Sequence, residues 1–151
     1  MSNVIWELVP NQGIRHDKTE VFFGMDRPSL RLMLQETFGE PQSHMADEDD
    51  FETPDGGTLI RLRFDGDKLQ DIEFLSGNLH YRGVELHNGT TWGEIEERLS
   101  SFGFSFHRPE FLDDGVECPE LGINIATRSQ VGGDRDDDTI EWVITSVHFS
   151  K

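Results

Sequence analysis

One cysteine and six histidines are the side chains in which catalytic or metal-binding chemistry would be expected first. Cys118 lies close to the acids Glu117 and Glu120, and nearby carboxylates raise the pKa of a thiol, which favours a structural role over a nucleophilic one. A lone cysteine cannot form an internal disulfide or a multi-thiolate zinc site. The histidines are scattered without the spacing of a metal site; they are His16, His44, His80, His87, His107 and His148.

The sequence contains no hydrolase, nucleotide-binding or zinc-protease motif. Asp134, Asp136 and Asp138 have the spacing of the first ligands of an EF-hand, but the sixth position is Thr139 instead of glycine. We therefore expect no catalytic residues, no metal and no cofactor. The alternative is an enzyme or small-ligand-binding domain with a carboxylate or histidine site in a concave part of a sheet.

The charge of the chain points to a different kind of chemistry. The 151 residues contain 30 Asp and Glu against 13 Lys and Arg, a net charge of -17, and both halves of the chain are acidic. This charge excludes ordinary nucleic-acid binding, which needs clustered Lys and Arg to neutralise phosphates. A strongly acidic surface accelerates association with a basic protein and can present carboxylates where phosphates would otherwise bind.

Two acidic runs and one tryptophan are the predicted partner-binding residues. Both runs are expected in loops, the second because it follows Gly132 and Gly133. Trp142 is expected on a strand that is apolar on both faces, so that one face can meet a partner. The simpler interpretation, that the runs are only solvated loop charge, stays open. The predicted residues are Asp47, Glu48, Asp49, Asp50, Asp134, Asp136, Asp137, Asp138 and Trp142.

Two helices are predicted among the elements that position these residues. Asp26 can cap the first, Pro28 suits its first turn and Gly39 ends it, while Thr91 and Glu94 form a capping box for the second. Their apolar stripes are Leu30, Leu34 and Phe38 in the first helix and Ile95, Leu99 and Phe102 in the second. Two short helices therefore lie in a chain that otherwise has strand patterns.

Most of the remaining chain alternates in the manner of β-strands. Residues 59–64 and 69–75 flank an Asp-Gly-Asp turn, which predicts a hairpin. One long strand is predicted at residues 139–150, and further strands precede the helices at 4–9, 21–23 and 79–86. We predict an α+β fold in which antiparallel sheet, in one or more pieces, carries both helices on one face.

The two halves of the chain show matching patterns. The apolar positions of the helices match at an offset of 65 residues, and residues 69–74 match residues 144–149 at an offset of 75. This predicts two related strand-helix-three-strand units, residues 1–77 and 78–151, either as two domains or as one compact domain. The extra length of the second unit is predicted to be an inserted loop at residues 129–138.

Residues 24–30 and 38–41, which read Gly-Met-Asp-Arg-Pro-Ser-Leu and Phe-Gly-Glu-Pro, resemble a signature of small helix-plus-sheet domains. That signature, Gly-Met-Thr-x-x-x-Val followed by Leu-Gly-x-Pro, occurs in β-lactamase inhibitor proteins and in SmpA-type assembly lipoproteins. The resemblance implies a tandem architecture whose sheet face grips another protein. The small, acidic, helix-on-sheet character is also similar to that of bacterial immunity proteins that neutralise toxins.

These observations together predict a non-enzymatic inhibitor or immunity protein that masks a basic site on a toxin-like partner. The N-terminus lacks the basic and apolar regions of a signal peptide, and no apolar stretch reaches the length of a membrane helix, so we expect a cytoplasmic protein without membrane contact. A second alternative is a homo-oligomeric structural subunit, with a homodimer formed through an edge strand at residues 139–150.

Overall fold

The computed structural model describes residues 4–43, 45–108 and 114–149 of the chain. In those residues, strands of alternating burial are interrupted by two amphipathic helices. The elements are β1 Ile5–Val9, β2 Gly13–His16, β3 Thr19–Phe22, α1 Arg27–Phe38, β4 Glu48–Glu52, β5 Leu59–Asp65, β6 Lys68–Ser76, β7 Asn78–Tyr81, β8 Val84–His87, α2 Trp92–Ser100, β9 Val116–Cys118, β10 Ile123–Thr127 and β11 Ile140–Ser146. This confirms the predicted α+β fold.

The strands form two sheets. Sheet A has the order β3-β2-β1-β7-β8 and sheet B the order β4-β5-β6-β11-β10-β9. Every pair is antiparallel except β1 with β7. Each sheet contains strands from both sides of residue 77, because β1 pairs with β7 and β6 pairs with β11. That the two halves are related units, or separate domains, stays a prediction.

The first helix starts and ends where its sequence signals indicate. The backbone N–H of Ser29 donates to the Asp26 carboxylate at 3.1 Å, which satisfies one of the free N–H groups of the first turn. Gly39 ends the helix with a φ of 77°, a conformation that glycine adopts without strain. Leu30, Leu34 and Phe38 are buried in the core, so the predicted apolar stripe of α1 is confirmed.

The second helix begins after Thr91 as predicted, but it is stabilised differently at that end. The Thr91 side chain makes no capping hydrogen bond; instead the backbone N–H of Trp92 donates to the carbonyl of Asp138 at 2.9 Å. The helix ends at Ser100, so Phe102 lies beyond it and is 43 % exposed. The N-terminus of α2 is therefore held by the segment that contains the second acidic run.

Two strand predictions are corrected by the sheet topology. Glu48, Asp49 and Asp50 are not in a loop but in β4, which pairs along its length with β5. Residues 140–146 form β11 in the interior of sheet B, between β6 and β10. The prediction that residues 139–150 supply an edge strand is therefore wrong, because an interior strand has both hydrogen-bonding edges occupied; that the chain forms a homodimer stays a prediction. The predicted hairpin of 59–64 and 69–75 is confirmed as β5 and β6.

The buried apolar side chains of both sheets and both helices form one continuous core. Trp6, Phe51 and Phe74 are the largest fully buried side chains, and they come from β1, β4 and β6 respectively. The core also contains the apolar faces of α1 and α2. No helix in the described residues is long and apolar enough to span a membrane.

Candidate protein-binding surface

Asp49 is the centre of a buried ionic cluster that we call the Asp49 cluster: Asp49, Arg27, Arg31 and Ser43. Arg27 and Arg31 are one turn apart on α1, so both guanidinium groups lie over β4. Each arginine donates to both carboxylate oxygens, over distances of 2.7 to 3.1 Å, and the Ser43 hydroxyl adds a hydrogen bond of 2.7 Å. The Asp49 side chain is completely buried, so it cannot contact a partner.

The protonation state of Asp49 is determined by this cluster. Burial by itself would raise the pKa of the Asp49 carboxyl, but the hydrogen bonds from Arg31, Arg27 and Ser43 outweigh it and hold that pKa far below its ordinary value. Asp49 is therefore ionised in the folded protein even at low pH. Two guanidinium groups share this one carboxylate, which leaves an excess of positive charge beside α1.

The other acids of the first run belong to a charge ladder across the solvent-facing side of sheet B, formed by Glu48, Asp50, Arg61, Arg63 and Glu73. The strand register places Glu48 opposite Arg63, and Asp50 and Glu73 on either side of Arg61. Arg61 contacts Asp50 at 2.8 Å, and Arg63 contacts Glu48 at 2.7 Å and Glu73 at 2.6 Å. Of the run, only Asp47 is exposed and outside these interactions.

The Asp49 cluster and the charge ladder together carry no net charge. Their four arginines balance the four carboxylates Glu48, Asp49, Asp50 and Glu73, so the rest of the chain carries the whole net charge of -17. The spacing could have revealed the ladder, because arginines at 61 and 63 and acids at 48 and 50 alternate on one face of their strands. It could not have revealed the Asp49 cluster, which depends on where α1 packs.

The second acidic run lies in a long ordered connection between β10 and β11, which we call the acidic loop (residues 128–139). Backbone hydrogen bonds join Arg128 to Thr139 at 2.9 Å and Ser129 to Asp137 at 3.0 Å, so the hairpin continues beyond the two strands. Asp134, Asp136 and Asp138 are exposed and Asp137 is half-buried, at the predicted loop position. The structure therefore brings four acids of the second run together at the surface.

One glycine and one aspartate fix the shape of the acidic loop. The Gly133 N–H donates to the carbonyl of Arg128 at 2.7 Å, and a Cβ on Gly133 would lie 2.7 Å from that same oxygen, so a larger residue does not fit there. The hydroxyl and backbone N–H of Thr139 donate to Asp137 and lower the pKa of its carboxyl. The exposed carboxylates are thus presented on a preformed backbone, which reduces the entropy lost on binding.

Trp142 lies on β11, next to the base of the acidic loop, and its side chain is half-buried. Its indole N–H donates to the Oδ1 atom of Asn124 at 3.0 Å, and Asn124 is completely buried. The polar end of Trp142 is therefore already used inside the protein, and only part of its ring is open to a partner. The first and second acidic runs are not brought together with Trp142 as one surface, because most of the first run is paired in sheet B.

Among the described residues, the arrangement nearest to the alternative, an enzyme site with a histidine or carboxylate, surrounds Ser105. Its hydroxyl oxygen lies 3.3 Å from the Nε2 atom of His107 and 3.3 Å from the Oε2 atom of Glu120. A nucleophile and base pair needs an acid that orients the histidine, but here the carboxylate contacts the serine instead. Cys118 is buried, which raises the pKa of its thiol to about 11 and favours the expected structural role.

His87 is buried where β8 of sheet A meets β11 of sheet B. Its Nε2 atom donates to the carbonyl of Glu141 at 3.1 Å, and its ring contacts Phe74 edge-on. Burial disfavours the charged imidazolium and lowers the pKa of His87 below its ordinary value of 6.5. The neutral form therefore stabilises the fold at pH above 6.5, and this stabilisation is lost as the pH falls.

We expect His87 to make stability sensitive to mild acid. Between about pH 7 and about pH 5.5 one such proton can remove up to about 1.3 kcal/mol from the free energy of unfolding. The His87→Gln variant, which keeps a donor for Glu141, should lose less stability over this interval than the parent protein. Urea unfolding at both pH values measures the loss of stability, and the His80→Gln variant, at a partly exposed histidine, is the control. Equal losses in the parent protein and both variants would contradict the assignment of the pH dependence to His87.

Comparison with known proteins adds no relative: no family model, no curated protein and no solved structure matches this chain.

Proposed function

We propose that this protein is a non-enzymatic acidic binding module, an inhibitor or immunity protein that masks the basic site of a toxin-like partner. In this proposal it acts in the bacterial cytoplasm, where a toxin's nuclease-like active site would present clustered cations. The proposal uses electrostatic attraction for encounter and a preformed acidic loop for contact.

The observation that carries the proposal is the distribution of paired and unpaired charge. The four arginines of the Asp49 cluster and the charge ladder are balanced in charge by four carboxylates of the same two groups, so together these residues do not reduce the net negative charge of the protein. The acidic loop then presents Asp134, Asp136 and Asp138 to solvent on a backbone held by hydrogen bonds. In this proposal, these carboxylates occupy the positions that phosphates would take in a basic cleft.

The test compares two variants with the same change in net charge. One variant neutralises the acidic loop (Asp134→Asn, Asp136→Asn and Asp138→Asn), and the other neutralises exposed acids of α2 (Glu94→Gln, Glu96→Gln and Glu97→Gln). Both are combined with the basic product of a neighbouring gene, and association and dissociation rates are measured by surface plasmon resonance. If the loop contacts the partner, the first variant raises the dissociation constant about 30-fold, mainly through faster dissociation.

The α2 variant serves as the control for the general field. It should slow association by about threefold and leave the dissociation rate unchanged, because charges outside an interface act mainly on encounter. Equal effects of the two variants would remove the loop from the interface. A partner that is not basic would contradict the proposed function itself.

A further inference from the structure

A second surface of different character lies between α1 and the segment that leads into β4. It is an open groove of about 820 Å³, which we call the Arg31 groove. Its lining includes Arg31, Leu32 and Met45. Leu32 is 73 % exposed and Met45 is 60 % exposed, the two highest values among the exposed large hydrophobic side chains of the described residues. The groove therefore combines apolar rims with a guanidinium group, the composition of many ligand sites.

The guanidinium of Arg31 is fixed in position but not saturated. Its Nε and Nη2 atoms donate to Asp49 at 2.8 and 2.7 Å, and Nη2 also contacts Ser43. Among the described residues, none accepts a hydrogen bond from its Nη1 atom, and the side chain is 43 % exposed. Because Asp49 is completely buried and also holds Arg27, the free edge of Arg31 is preorganised toward the groove.

The charges around the groove indicate which anion fits. Arg27 and Arg31 share the single carboxylate of Asp49, so positive charge is in excess at the floor. Glu40 and Asp67 also line the groove and repel a multiply charged group such as a phosphate. A single carboxylate, which can accept charge-assisted hydrogen bonds from the free Nη1 group of Arg31, is the anion that both features accept.

We infer that the Arg31 groove binds a carboxylate attached to an apolar group, with the carboxylate on the free edge of Arg31 and the apolar group between Leu32 and Met45. Such a group is either a free apolar carboxylic acid or the C-terminal residue of a peptide. This site goes beyond the proposed function, because its ligand is anionic and binds at Arg31, away from the acidic loop.

The probes are N-acetyl-leucine and the peptide N-acetyl-glycyl-glycyl-leucine, each compared with its C-terminal amide. Binding is measured by titration of the ¹⁵N-labelled full chain, through backbone and arginine side-chain NMR signals. We expect the acids to shift the signals of Arg31, Leu32 and Met45, and the amides to bind at least about tenfold more weakly, since the charge-assisted hydrogen bonds are lost. A peptide that binds more tightly than N-acetyl-leucine identifies a chain terminus; equal affinity identifies a small acid.

Variants test the two halves of the site separately. The double variant Leu32→Ser with Met45→Ser should bind the acids about tenfold more weakly. The matched double variant Ile5→Ser with Val147→Ser, at two other exposed apolar positions, should bind them as the parent protein does. The Arg31→Lys variant keeps a positive charge beside Asp49 but removes the free Nη1 donor. It should also bind the acids about tenfold more weakly. The serine variants change exposed side chains, so they keep the test valid even if Arg31→Lys unfolds.

The outcomes separate this site from the proposed function. Acid binding here should not weaken when salt is raised, because the net charge of the protein repels an anion at long range. Binding of acid and amide with equal affinity, shifts remote from Leu32 and Met45, or no binding by either acid would each overturn the groove assignment. None of these results bears on a basic partner at the acidic loop.

Discussion

Replacement of Asp49 by asparagine is expected to lower the free energy of unfolding by about 3 kcal/mol. The change keeps the shape of the side chain but removes the charge that Arg27 and Arg31 share. Two guanidinium groups, one of them only 15 % exposed in its side chain, would then lie against each other and against a neutral amide. An uncompensated buried charge is among the few mechanisms that cost this much from a single substitution.

Urea unfolding at neutral pH measures this loss, and two neighbouring acids provide the controls. Asp50→Asn removes a partner of Arg61, which keeps Glu48 and Glu73 within 3.7 Å, so about 1 kcal/mol is expected. Asp47→Asn changes an exposed side chain and should alter stability by no more than about 0.5 kcal/mol. If the Asp49→Asn variant loses no more unfolding free energy than the Asp50→Asn variant, the expected contribution of the Asp49 cluster to stability is contradicted.

Acid titration provides an independent measurement of the same residue. The pKa of Asp49 is depressed in the folded state, so its contribution is present at pH above the ordinary value of 3.8 and is lost as the pH falls toward the folded value. The parent protein should therefore lose more stability than Asp49→Asn between about pH 5 and about pH 3. Parallel curves for the two proteins would contradict the assigned pKa direction.

Association with the proposed basic partner is expected to slow by about 10- to 100-fold when NaCl is raised from about 50 mM to about 500 mM. The reason is that encounter depends on the long-range field of the unpaired acids. At the higher salt concentration, ions screen this field beyond a distance of a few ångströms. Dissociation should change much less, because contacts inside an interface are screened less than charges in solvent. Stopped-flow mixing at several partner concentrations for each salt concentration separates the two rates.

A control is needed because salt also acts on the charge ladder. Urea unfolding of the free protein at both salt concentrations should show that the fold is retained throughout. The α2 variant with three neutralised acids should show a shallower dependence of the association rate on salt, since it carries a weaker field. An association rate that is indifferent to salt would exclude electrostatic steering and remove the main physical support for the proposed function.

Features that depend on neighbouring residues in the chain could be predicted from the sequence. The start of α1 follows from the Asp26 cap and its end from Gly39, and the β5–β6 hairpin follows from its turn at 66–67 and alternating strands. The acidic loop was also predictable, since glycines and mutually repelling acids disfavour a regular strand. In each case the interactions that decide the structure lie within a few positions.

The first acidic run shows where such reasoning fails. Four consecutive acids predict a solvated loop, yet three of them form most of β4. The charges that make this strand stable come from Arg27 and Arg31 on α1, 22 and 18 positions from Asp49, and from Arg61 and Arg63 on β5. Local composition does not contain these partners, so tertiary pairing overrides it.

The sequence by itself determined the sign and size of the charge, its presence in both halves of the chain, the two helices and the α+β class. Only the tertiary structure decided which charges are free, because pairing depends on strand register and on where a helix packs, and both join residues that are distant in the chain. Because Glu48, Asp49 and Asp50 are paired with arginines, they are no longer part of the candidate binding surface. The exposed acids Asp134, Asp136 and Asp138 of the acidic loop remain. The tertiary structure also produced the Arg31 groove, since one buried carboxylate holds two arginines and leaves part of a guanidinium open to solvent.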